Sequence, residues 1–315
     1  MSLLLFHHPS AFAHETGSFH PERPERLRAI LDRLARAPVA GLTQMEAPPA
    51  RVEEIARAHS RRYVEETLEA IPEEGLRHLD PDTVVSPGSR EAALRAAGAA
   101  LAAVRAVLEG RTRRAFSCMR PPGHHAERSR AMGFCLFNNV AVAALEARHA
   151  FGVGRIAIFD FDVHHGNGTQ DIFWDDPLTL YCSTHQWPLY PGTGRPEETG
   201  AHGNILNRVF PPGSESERWR EVVEQEMLPR IDAFRPELVM ISAGFDAHAR
   251  DPLANLQLVE EDFAWVTGHL VAIARRHAGG RVVSVLEGGY DLEALAASVH
   301  AHLAALARED EGEES

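Results

Sequence analysis

Short apolar runs rich in β-branched residues recur along the chain. They fall at Leu3–Phe6, Leu42–Glu46, Arg114–Met119, Arg155–Asp160, Leu178–Cys182, Asn204–Phe210, Leu238–Ser242 and Val282–Leu286. Three of the segments, RIAIFDFD, ELVMISAGFD and RVVSVLEGG, are continuous rather than alternating. That pattern belongs to strands buried on both faces, as in a parallel sheet. Between the runs, apolar residues repeat at helical spacing over Pro24–Arg36, Arg90–Leu108, Asn138–Ala150, Glu217–Ala233, Val259–His277 and Leu292–Ala307. The alternation predicts one doubly wound α/β domain spanning residues 1–308. The acidic stretch 309–315 is expected to be a disordered tail.

In open α/β sheets, ligands bind beyond the carboxyl ends of the strands. Four of the runs lead at once into polar clusters: RPPGHHAE after Met119, DFDVHHGNG after Ile158, AGFDAH after Ser242 and EGGYD after Leu286. Loops at one end of one sheet would gather all four.

Composition narrows the function classes. The formal net charge of −13 argues against a nucleic-acid binder that works through a general basic surface. All 32 basic residues are arginines, which codon bias explains. No run approaches the roughly 20 apolar residues needed to span a bilayer. The N-terminus lacks the basic region of a signal peptide. Cys118, Cys135 and Cys182 are odd in number and lack CxxC spacing, which fits a reducing cytoplasm.

The candidate chemistry starts from Asp162 and His164. Residues i and i+2 of an extended segment point to one side, so both can reach one ion. Asp246 ends a second strand and supplies a third ligand. Two carboxylates and one imidazole with open positions make a catalytic zinc site, although the same donors suit other divalent ions. His124 and His125 follow a Pro-Pro-Gly turn and can divide general base and general acid work. Asp160 and Asn167 are the candidates to orient them. A carboxylate raises imidazole basicity more than an amide does, so the two rings should differ in pKa. Tyr290, after Gly288-Gly289, can donate a hydrogen bond to a carbonyl as it becomes an oxyanion.

Together RPPGHHAE, GFCLFNNVAVAA, DFDVHHGNGTQ, SAGFDAH with DPL behind it, and LEGGYD resemble the zinc-dependent histone deacetylase superfamily in its class II-like, bacterial branch. HPERPERL at residues 20–27 resembles that family's N-terminal motif, and the resemblance runs from about residue 6 to about residue 300. It implies the arginase/deacetylase fold with an eight-stranded parallel sheet, and zinc held by Asp162, His164 and Asp246. It implies His125 as base, His124 as electrostatic partner or acid, Asp160 and Asn167 behind them, and Tyr290 as the carbonyl's donor. Gly133, Phe134, Tyr190, Leu253 and His20 would form the substrate channel. Asp160, Ser183 and Thr184, with Asp162 and His164, would hold a structural potassium ion. Leu253 stands where polyamine-selective relatives carry glutamate, which favours an acyl-lysine substrate over an acetylpolyamine.

Two other classes compete. A binuclear manganese ureohydrolase shares the fold but needs further carboxylates, where this chain has Gly166 and His248. A non-catalytic acyl-binding protein would be expected to have lost one of the zinc, histidine or tyrosine candidates. No nucleic-acid or membrane partner is expected, and the sequence leaves the oligomer open.

Overall fold

The computed structural model describes residues 3–308; the acidic tail lies outside them. In chain order the strands are β1 (Leu3–His7), β2 (Leu42–Glu46), β3 (Arg77–His78), β4 (Val84–Val85), β5 (Arg114–Ser117), β6 (Ile156–Asp160), β7 (Thr179–Gln186), β8 (Ile205–Phe210), β9 (Leu238–Ala243) and β10 (Val282–Leu286). The helices are α1 (Glu25–Arg36), α2 (Val52–Ile55), α3 (Arg61–Glu69), α4 (Ser89–Leu108), α5 (Asn139–Phe151), α6 (Asn167–Phe173), α7 (Ser216–Val222), α8 (Leu228–Phe234), α9 (Glu260–His277) and α10 (Leu292–Ala307).

Eight strands form one sheet in the order β2-β1-β5-β10-β9-β6-β7-β8, and all of its pairings are parallel. The expected α/β fold with an eight-stranded parallel sheet is therefore the observed one. Every residue of β6, β9 and β10 is buried, which is why their sequences are continuously apolar. Helix α4 packs on α5 and on β1, β5 and β10, while α10 packs between α1 and α9. These two groups of helices cover the sheet.

The four strands that lead into polar clusters, β5, β10, β9 and β6, are neighbours at the centre of the sheet. Parallel pairing puts their carboxyl ends on one edge, so their loops converge without long excursions.

One predicted helix is interrupted. Over Glu217–Ala233 the structure has α7, then a π-helical turn at Val223–Met227, then α8. Pro229 sits in the first turn of α8 and offers no N–H to continue an α-helical ladder.

Candidate active site

Asp162 and His164 leave the end of β6, and Asp246 leaves the end of β9. One ligand atom from each lies within 4.8 Å of the others, and all three residues are buried. His164 Nδ1 stands 3.1 Å from Asp162 Oδ1 and 3.2 Å from Asp246 Oδ2. Burial opposes charge on His164, yet the two carboxylates raise its pKa to about 10. Three buried groups converging in this way, two of them anionic, form a donor set that fits a divalent cation.

The backbone makes room for them. A Cβ at Gly288 would stand 2.1 Å from Asp246 Oδ2 and 2.6 Å from Asp162 Oδ2, so only glycine lets the turn after β10 pass this close. The Gly288 N–H donates to Asp162 Oδ2 at 2.9 Å, and the Val163 N–H donates to Asp246 Oδ1 at 2.9 Å. These bonds aim the carboxylates before any ion arrives.

Beside this triad the His124 and His125 rings lie 4.1 Å apart between centroids. His124 Nδ1 is 3.0 Å from Asp160 Oδ2, and His125 Nδ1 is 2.8 Å from Asn167 Oδ1. Sequence reasoning named these four residues without saying which partner serves which ring. Burial opposes charge on His124, but Asp162 and Asp160 overcome it and raise its pKa to about 10. Burial, then the neighbouring His124 and His164, hold His125 well below 6.5. The neutral imidazole with a free Nε2 and the protonated one thus stand side by side.

Tyr290 completes the group. Burial raises its pKa well above 10, with Asp246 and Asp162 adding to the effect and Arg26 opposing it. The phenol therefore keeps its proton and serves as a donor. The Arg26 guanidinium lies 4.9 Å from the centre of its ring.

A cavity of about 250 Å³ opens onto these groups, lined by Asp82, His125, Gly133, Phe134, His164, Leu189, Tyr190, Leu253 and Tyr290. Phe134 adopts a left-handed backbone, φ 68°, and its N–H donates to Thr83 Oγ1 at 3.1 Å. A bulky residue in that conformation is strained, and such strain gathers at functional sites. The Gly133 N–H donates to Asp82 Oδ1 at 3.1 Å. His20 packs edge-on to Phe134 at 4.7 Å and meets the Asp82 carbonyl at 3.2 Å, in contact with two residues of the lining.

Ser183 and Thr184 sit on β7, and Ser183 pairs in register with Asp160. Ser183 Oγ meets His185 Nδ1 at 2.9 Å, whereas the buried Thr184 Oγ1 has no hydrogen-bond partner among the described residues.

Several contributors escaped sequence reasoning. Glu287 Oε2 accepts the N–H groups of Gly123 at 2.6 Å and His124 at 3.1 Å, holding the histidine loop against β10. Glu127 Oε1 accepts from Asn167 Nδ2 at 2.8 Å. Both glutamates lie inside motifs already singled out, LEGGYD and RPPGHHAE, and the motifs were the available signal. Tyr181, whose hydroxyl donates to Asp160 Oδ2 at 2.8 Å, lies in a buried strand and carries no such signal.

A family model described as "Histone deacetylase domain" matches residues 20–306. The chain is 41% identical over 290 residues to the histone deacetylase-like amidohydrolase of Pseudomonas aeruginosa, covering 90% of this chain and 74% of that one. It is 41% identical over 299 residues to the human polyamine deacetylase HDAC10, covering 88% of this chain and 43% of that one. A solved structure described as the crystal structure of the HDA15 HD domain superposes with a TM-score of 0.90 at 35% identity, covering 97% of this chain and 88% of that one.

Proposed function

The chain belongs to the histone deacetylase family and is a hydrolytic deacetylase, and on that premise we propose that it removes acetyl groups from lysine-type amines with one bound zinc ion. The observation that carries the reading is the shared cavity. His125, His164 and Tyr290 face the same space as the apolar walls Phe134, Leu189, Tyr190 and Leu253. An unbranched chain entering between those walls delivers its amide to the polar groups at the end.

In this reading Asp162, His164 and Asp246 hold the zinc. Bound there, zinc would supply Lewis-acid polarisation of an acyl carbonyl and a lowered pKa for water. His125, kept neutral by burial, takes the proton of the attacking water on Nε2. Tyr290 donates its hydrogen bond to the carbonyl oxygen as charge builds there. His124 stays cationic against Asp160 and stabilises the anionic transition state. The proton held by His125 then passes to the leaving nitrogen.

A potassium ion near Asp160, Ser183 and Thr184, with Asp162 and His164, belongs to the same proposal. The unpartnered Thr184 Oγ1 is the observation in its favour. So do a catalytic domain over residues 1–308 and a cytoplasmic site of action. The three buried cysteines are all free, as a reducing compartment would keep them.

Leu253 favours lysine-type amines over polyamines, because position 253 offers no carboxylate to a second ammonium group, while the Asp82 carboxylate in the same lining is already engaged by the Gly133 N–H. The rival binuclear chemistry meets a steric bar. A Cβ at residue 166 would stand 2.4 Å from both Asp160 Oδ2 and the Tyr181 hydroxyl, so no carboxylate fits at that position. The deciding experiment compares acetyl-lysine peptides, longer acyl-lysines and acetylpolyamines by kcat/KM, with and without chelator. Turnover of acetyl-lysine that chelator abolishes and zinc restores is expected. Chelator-insensitive turnover, or a clear preference for acetylpolyamines, would overturn the proposal.

A further inference from the structure

Asp251 follows Asp246 on the loop after β9 and has no part in the chemistry described above. Its residue is only 7% exposed. Among the described residues it has no ion-pair partner, since its neighbour Arg250 turns outward to Glu293 at 2.8 Å and Asp291 at 3.2 Å. A buried carboxylate without a cation is costly, and burial with the nearby Asp246 raises the Asp251 pKa to about 7 against the backbone N–H groups of Leu253, Tyr290 and Asp291. Oδ2 accepts the N–H of Tyr290 at 2.7 Å, and Oδ1 accepts the N–H of Leu253 at 3.0 Å.

Those two donors belong to two walls of one cavity. Tyr290 follows Gly289, whose φ of 119° lies in the region open to glycine, so local preference does little to fix where the tyrosine starts. We propose that Asp251 is a positioning residue, which uses its two oxygens to fix the Tyr290 phenol and the Leu253 wall relative to each other. The inference rests on the reading of Tyr290 as the donor to the substrate carbonyl. It also explains the residue type. Asparagine offers one acceptor and would set its NH₂ against a backbone N–H, so one of the two bonds must break.

The test is a cycle of Asp251→Asn, Tyr290→Phe and the double variant, assayed on an acetyl-lysine peptide with zinc content measured in each. Asp251→Asn is expected to keep its zinc and to lower kcat about 10- to 100-fold, the loss that misplacing a catalytic group produces. Added to Tyr290→Phe, it should cost less than a further twofold, because the phenol it positions is gone. Losses that multiply would make Asp251 a structural residue only and overturn the proposal, as would wild-type kcat in Asp251→Asn. If Asp251→Asn does not fold, Asp251→Glu enters the same cycle under the same criteria. Arg250→Ala removes only the outer ion pairs and should keep kcat within twofold; an equal loss there would mean general loosening of the loop and would also overturn it. If Tyr290→Phe itself keeps wild-type kcat, the reading of the tyrosine fails and this inference with it. A dead Tyr290→Phe beside an active Asp251→Asn sinks this inference alone.

Discussion

His125 Nδ1 lies 2.8 Å from the side-chain oxygen of Asn167. The orientation of that amide is set from behind, because its Nδ2 donates to Glu127 Oε1 at 2.8 Å and a carboxylate can only accept. The amide oxygen must therefore face the ring, so Nδ1 carries the proton and Nε2 is the lone-pair nitrogen turned to the cavity. A glutamate two residues past His125 thus decides which nitrogen of the base is free.

From this follows a pH prediction. Burial, His124 and His164 hold His125 well below 6.5, and a bound cation acts in the same direction. Activity that needs neutral His125 is lost as pH falls through that low pKa. Asn167→Asp with Glu127→Gln reverses the pair: glutamine donates to the new carboxylate, which then faces Nδ1 and favours the charged ring. The acid limb of kcat/KM should move up by about one pH unit or more. A limb that stays in place removes His125 from the role of base.

A second prediction concerns metal retention. Gly288→Ala places a methyl group 2.1 Å from Asp246 Oδ2, which forces that carboxylate or the turn to move. The chain should fold, since β10 itself is untouched, but bind zinc at least ten-fold more weakly. Asp246→Asn should do the same by removing charge. Elemental analysis after dialysis against a weak chelator reads both, and full occupancy in either variant refutes its part of the assignment. Zinc should also raise the Tm of the wild-type chain, since binding to the native state alone stabilises it.

The sheet was legible because a strand buried on both faces leaves no polar position to confuse the pattern. Seven of the eight apolar runs coincide with its strands to within two residues at each end, and the eighth, Leu178–Cys182, stops four residues short of the end of β7, where the sequence turns polar at Ser183-Thr184-His185-Gln186. The short elements were not. Helix α6 begins at Asn167-Gly168, residues that read as loop. The hairpin β3–β4 is two residues long on each side, so tertiary burial of Val84 and Val85 rather than local pattern defines it. The site divides in the same way. Residues that meet through contiguous motifs, Asp162 with His164 and His124 with His125, could be paired from spacing. Tyr181 reaches Asp160 across a register that only the folded sheet supplies, and Asp82 enters the cavity from a segment with no motif of its own.

The loop under the histidines carries a stability prediction. Glu22 accepts from Arg120 Nε and Nη2 and from Arg26 Nη1, all three side chains buried. Burial pushes its carboxyl up, but the two guanidinium groups prevail and hold it at about 2, against an ordinary 4.5. A depressed carboxylate contributes stability above its unfolded pKa and loses it as pH falls toward the folded value. This contribution should therefore be complete at neutral pH and disappear between about pH 4.5 and pH 2. Glu22→Gln leaves buried cations uncompensated and should destabilise by about 3–5 kcal/mol at pH 7. In urea melts, the gap between variant and wild type should narrow as the pH is lowered through that window. A gap independent of pH would show that the cluster is not held by charge.

The last prediction concerns selectivity at the wall. Leu253 lines the cavity together with Asp82, and its N–H is already fixed by Asp251 at 3.0 Å, so a new side chain at 253 inherits a defined origin. Glutamate there would add a second carboxylate to the lining, beside that of Asp82, at a distance from the amide set by the loop. An acetyl-lysine chain has no second cation to meet it and must desolvate it, whereas an acetylpolyamine carries an ammonium further along. Leu253→Glu should therefore lower kcat/KM for acetyl-lysine peptides and raise it for acetylpolyamines. Each direction should amount to about ten-fold, one partly buried charge contact being worth about 1.4 kcal/mol or more. The change should appear mainly in KM, because the contact is made in ground state and transition state alike. If both substrates fall together in kcat, residue 253 acts through the packing beside Tyr290, and charge at that wall does not select the amine.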